Sequence, residues 1–151
     1  MVSIYIHKSH NVSLLMYHFV CPAKYRKDVL TGPVDSLLKQ TCLEIAKRFE
    51  IHFLEIGTDD DHVHFLIQSV PTMLPQRIIQ IVKSITARTI FEKLPEVKKQ
   101  LWGGEFWTKG YFVSTVGRSN SENAVRLYVK SQGTDKTYHE LLKQQQTLFD
   151  H

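Results

Sequence analysis

An α+β sandwich, one antiparallel sheet with helices on one of its faces, is the fold class this sequence predicts. Three observations predict it. Segments rich in β-branched and aromatic residues alternate with segments whose apolar residues recur at helical spacing. Their order is strand, helix, strand, strand, helix, strand, with proline, glycine or aspartate at the joints. The chain of 151 residues, 42% hydrophobic and 23% charged, fits a single domain over 1–151 with a core of useful size. That order is the one of ferredoxin-like, RRM-like folds, here with extra helix at the C-terminal end.

Each element has its own warrant. "NVSLLMYHFV" (11–20) reads as the first strand, broken by Pro22, Gly32 and Pro33 in the loop that follows. In "VDSLLKQTCLEIAKRFE" (34–50), Leu37, Leu38, Leu43, Ile45 and Phe49 lie near helical spacing. "IHFLEIGT" (51–58) is the second strand. Three aspartates turn the chain, and "HVHFLIQSV" (62–70) returns as its hairpin partner. Residues 74–92 predict a second helix with Ile78, Val82 and Ile85 on its buried stripe and Arg77, Gln80, Ser84 and Arg88 on a polar one. Pro95 stops it. A Gly-Gly turn and a strand follow in "LWGGEFWTKGYFVSTVG" (101–117). Ser119 and Glu122 have capping-box spacing, Gly133 suits the position just past a helix end, and 137–149 predicts a last amphipathic helix.

Composition narrows the function classes. No window approaches the roughly 20 apolar residues of a membrane helix, and no signal peptide opens the chain. Cys21 and Cys42 form neither a CxxC pair nor a disulfide framework, so a reducing cytoplasm is the expected compartment. A formal charge of +4 permits a polyanionic partner without requiring one.

Two short stretches carry the chemistry. In "DDDHVHFLI", alternation along a strand puts His62 and His64 on one face about 7 Å apart, with Val63, Phe65 and Ile67 on the other. Burial under helices explains the apolar face. Two neutral imidazoles on one rigid strand can converge on a divalent ion, although two polar residues facing solvent would show the same spacing. In "RLYVKSQG", Tyr128 and Gln132 lie four apart, one above the other on a helix and about 6 Å apart along its axis.

Together, histidine–hydrophobic–histidine on a strand and a downstream helix with Tyr-x-x-x-Gln resemble the HUH single-strand endonucleases. More narrowly, the chain is similar to the small single-tyrosine, TnpA-like transposases of bacterial insertion sequences. "CPAKYRKDVL", "LWGGEFWTKGYFVSTVG" and "YVKSQG" extend the resemblance over roughly residues 10 to 135. It implies that His62, His64 and Gln132 hold Mg²⁺ or Mn²⁺ and that Tyr128 is the nucleophile. It also implies a covalent 5′-phosphotyrosine, single-stranded DNA with hairpin ends as substrate, and a two-fold homodimer with the tyrosine helix acting in trans. Gln132 stands where a two-tyrosine enzyme would carry its second tyrosine, which argues against that mechanism. DNA contacts are expected from Lys24, Tyr25 and Arg26 past a strand end, and from Arg77, Lys83 and Arg88 on the second helix. For Trp102, Phe106, Trp107 and Tyr111, packing is a stronger expectation than base stacking.

Three other readings compete. A ferredoxin-like RNA-binding module would need an aromatic strand motif that "YFVSTVGR" matches poorly, and would leave Tyr128 and Gln132 unexplained. A zinc hydrolase would need a carboxylate or cysteine ligand at sensible spacing. A domesticated relative acting on genomic hairpin repeats would keep the same chemistry.

Overall fold

The computed structural model describes residues 4–117. The helices predicted over 119–133 and 137–149 lie outside the described residues. A small antiparallel pair, β1 (Ile6–His7) and β2 (Val12–Ser13), comes first. The main elements are β3 (Leu15–Pro22), α1 (Pro33–Arg48), β4 (Ile51–Thr58), β5 (His62–Ser69), α2 (Pro75–Lys93), α3 (Pro95–Gln100) and β6 (Phe112–Val116). The predicted first strand is therefore two: Val12 and Ser13 pair with β1, and the sheet strand begins at Leu15.

The four long strands form one antiparallel sheet in the order β4-β5-β3-β6. That is the ferredoxin-like arrangement expected from the element order. Proline and glycine punctuate it as their geometry requires. Gly32, at φ 53° and ψ −123°, is in a conformation that a β-carbon disfavours, and Pro33 starts α1. Pro95 does end α2, and it also opens α3, because a proline that cannot continue a helix can begin the next.

Both helices cover the same side of the sheet. Phe19 and Cys21 from β3, and Val63, Phe65 and Ile67 from β5, meet Leu38, Cys42 and Ile45 of α1 and Ile78 and Val82 of α2 in one buried cluster. Ile85 of the predicted stripe is only partly buried. The opposite side is not purely polar. Met16, Leu66 and Val116 form a second, smaller apolar cluster there, flanked by Leu14 and Leu54.

One charged pair lies inside the core layer. Lys39 of α1 is 0% exposed and its Nζ is 3.1 Å from Asp35 Oδ1, which also accepts a hydrogen bond from Thr58 Oγ1 on β4. Asp35→Ala removes this carboxylate from a fully buried ammonium, and should destabilise the chain by about 3–5 kcal/mol. Replacing both together, as Asp35→Leu with Lys39→Met, should cost far less. Urea unfolding of the two variants beside the unaltered chain measures the contrast.

Candidate active site

Alternation along β5 brings the two histidines together. His62 and His64 leave β5 on the face opposite the helices, and their rings stand 5.0 Å apart between centroids at 69°. His64 is buried, at 4% exposure, and His62 is half-buried. A cation about 2.1 Å from one nitrogen of each ring, with the two bonds near a right angle, is compatible with that separation.

The nitrogens turned toward such an ion are set by what the other nitrogens do. Asp61 Oδ1 lies 2.7 Å from His62 Nδ1, so the carboxylate accepts the Nδ1 proton and His62 is left to ligate through Nε2. The bond to His62 also holds the Asp61 carboxyl below its usual range, with Arg26 adding to the effect. Asp59 Oδ2 is 4.0 Å from His62 Nε2, so a second negative charge stands near the nitrogen left to ligate. Burial, reinforced by the neighbouring His18 and His62, lowers the His64 pKa to about 4. At neutral pH His64 is therefore an uncharged imidazole, the form that binds metals. Among the described residues no group of three His, Cys, Asp or Glu side chains is placed to hold an ion. Tyr128 and Gln132, the other two predicted site residues, lie outside the described residues.

A third histidine belongs to this cluster. His18 of β3 lies on the same face, with its Nε2 3.0 Å from His64 Nδ1 and ring centroids 5.2 Å apart. Phe112 of β6, 55% exposed, sets its ring edge against His18 at 6.0 Å and 70°. Four rings thus run across three strands: Phe112, His18, His64, His62. Sequence spacing along one strand does not reveal His18, because it meets His64 diagonally across a pair of strands.

The predicted DNA contacts fall into separate groups. Lys24–Arg26 form a 3₁₀ turn just past β3, in which Tyr25 (φ 59°) and Arg26 (φ 53°) take the left-handed conformation. Arg26 Nε donates to Asp61 Oδ2 at 3.0 Å, so this turn abuts the His62 site. Lys24 Nζ reaches Glu105 Oε2 at 2.9 Å and also lies over the Tyr25 ring. On α2, Lys83 and Arg88 line a cleft of about 650 Å³ walled by Phe106, Trp107 and Tyr111. Lys83 Nζ donates to the carbonyl of Thr108 at 2.7 Å. Arg77 lines a different groove, with Arg48 and Arg88. Of the aromatic set, Phe106 and Trp107 are core residues, whereas Trp102 is 84% exposed.

Comparison with known proteins follows the same outline. A family model described as "Transposase IS200 like" matches residues 11–132, a span that holds His62, His64, Tyr128 and Gln132. The ISDra2 transposase TnpA of Deinococcus radiodurans is 32% identical over 118 residues, 78% of this chain and 84% of that protein. The transposase for insertion sequence element IS200 of Salmonella typhimurium is 28% identical over 120 residues, 77% of this chain and 75% of the other. A crystal structure of a Deinococcus radiodurans R1 protein assigned as a transposase aligns with a TM-score of 0.69 at 27% identity, over 85% of this chain and 98% of that one. A REP-associated tyrosine transposase solved with a REP hairpin shares the fold, with a TM-score of 0.57 at 9% identity, over 82% of this chain and 69% of that one.

Proposed function

The chain belongs to the IS200-like transposase family, and from that premise we propose that it cuts and rejoins single-stranded DNA through Tyr128. The substrate is the end of an insertion sequence, recognised beside a hairpin, as the complex of the REP-associated relative with its hairpin suggests. The observation that carries the reading is the histidine pair on one face of β5, with ring centroids 5.0 Å apart and Asp61 at the Nδ1 of His62.

Transposases of this family are generally metal-dependent. His62 and His64, with Gln132 as a third ligand, fit Mg²⁺ or Mn²⁺, and the imidazoles favour Mn²⁺. When bound, the ion neutralises charge that develops on a non-bridging oxygen of the scissile phosphate. Uncharged imidazoles and an amide leave that charge-neutralising capacity undiminished.

Tyr128 supplies the nucleophile. Its phenol, with a reference pKa near 10, loses its proton as its oxygen bonds to phosphorus. The phosphorus–O3′ bond breaks, a 3′-hydroxyl departs with a proton, and the 5′-phosphate stays on the tyrosine. A second 3′-hydroxyl then attacks the phosphotyrosine and restores the phenol. One phosphodiester is exchanged for another, so rejoining needs no ATP. Two ends require two sites, which a homodimer sharing its tyrosine helices in trans would supply.

The test is a denaturing gel. Labelled single-stranded DNA with a hairpin end, incubated with the protein and Mn²⁺, should yield a covalent protein–DNA adduct that EDTA prevents. Products released without an adduct would point instead to hydrolysis, and an absence of any cleavage to a binding module.

Arg26 makes a separate test of the DNA path. Its pair with Asp61 is exposed, and exposed pairs hold little energy, so the guanidinium is available to a phosphate. Arg26→Ala should weaken single-strand binding alike for all sequences, and should lower the salt-dependence slope by about 0.7 for each lost contact. Fluorescence anisotropy across a salt series reads both effects.

A further inference from the structure

We infer that His18 is a positioning residue: its Nε2 accepts the Nδ1 proton of His64 and so holds His64 in the tautomer and orientation that present Nε2 to the ion. The inference rests on the metal reading above and adds to it a residue outside the ligand set.

The geometry separates this role from direct ligation. The ring planes of His18 and His64 differ by 15°, and the nitrogens are 3.0 Å apart with centroids at 5.2 Å. The centroid distance is nearly the nitrogen separation extended by the radius of each ring. The two imidazoles therefore lie side by side in nearly one plane, with the facing nitrogens aimed at each other. That is the shape of an N–H···N hydrogen bond. An ion between those nitrogens would sit far closer to each than the ~2.1 Å of a metal–imidazole bond.

One proton lies between the two nitrogens, and its placement decides the site. If His18 donated it, His64 would carry its own proton on Nε2 and have no lone pair for a cation there. If His64 donates it, Nε2 of His64 is a ligand and His18 carries its proton on Nδ1. The second arrangement matches its neighbour: Asp61 takes the Nδ1 proton of His62 in the same way. The two supports differ in charge. One ligand is backed by a carboxylate and the other by a neutral ring, so the support behind His64 orients its imidazole without adding negative charge.

The support is rigid. His18 pairs with Leu66 of β5 on one side and Ser114 of β6 on the other, in an inner strand of the sheet, and Phe112 packs edge-on against its ring.

Two readouts on the full chain test this. In the metal-free protein, ¹⁵N histidine spectra at neutral pH should show His64 protonated at Nδ1 and bare at Nε2. By titration followed with electron paramagnetic resonance, His18→Phe should weaken Mn²⁺ binding 10- to 100-fold. His18→Gln, whose amide oxygen reaches about the place of the imidazole Nε2, should restore most of that loss, which mere filling of space would not. His18→Leu replaces the Phe variant if that one does not fold. A His64 proton found on Nε2, or Mn²⁺ affinity unchanged in His18→Phe while His64→Ala loses it, would overturn the positioning role and leave the metal reading standing. An unaltered chain that binds no Mn²⁺ would overturn both.

Discussion

Tyr128→Phe should form no covalent adduct with hairpin-ended DNA, while binding that DNA as tightly as the unaltered chain. The substitution removes one oxygen and keeps the ring, so affinity should be little changed while the chemistry loses its proposed nucleophile. Cleavage should fall on the order of 10⁴-fold or more, because groups that act as one catalytic unit fail together when one is removed. Electrophoresis of the labelled strand on a denaturing gel, beside a binding curve, separates the two properties. Nicked DNA with free ends from this variant would mean that water attacks in its place. Tyr111→Phe is the control: this half-exposed tyrosine precedes β6 and packs toward Phe19, and its loss should leave the adduct intact.

The second large effect is expected at His64. His64→Ala removes one proposed ligand from the middle of the ring row and also releases His18 and His62 from their shared neighbour. Loss of several kcal/mol of charge stabilisation at the phosphate corresponds to about 10³-fold in cleavage rate. Chelation of the metal should do the same to the unaltered chain, and EDTA should add almost nothing to the variant, since both act on one interaction. An additive loss would show that His64 works apart from the ion. Circular dichroism of the variant guards against a folding defect.

Much of this molecule was readable in the residues. β4 and β5 begin where the sequence predicts, because alternation, β-branched content and an acidic turn all agree there. Val63, Phe65 and Ile67 are buried on the helix side, as their spacing requires. The break at Leu14 was not legible, since 11–20 is uniformly β-prone and partner choice, not propensity, divides it. Nor was the inward turn of Lys39, which depends on a carboxylate one helical turn earlier and a threonine on another strand. At the site, His62 and His64 stood out because they share a strand. His18 and Asp61 did not, because their roles come from register across strands and from the path of a loop. Phe112 is legible only as a strand residue until the sheet order places it beside His18.

The register of β5 ties chemistry to folding in one further way. All eight of its residues, from His62 to Ser69, pair without interruption with β3, and successive side chains face opposite sides. Were one codon inserted ahead of His64, the remainder of the strand would exchange sides, sending imidazole into the oily layer and phenylalanine out of it. Gene variants that misplace this pair therefore disrupt the core at the same stroke, and a lineage cannot shed the proposed centre by such a slip while keeping the scaffold for another use.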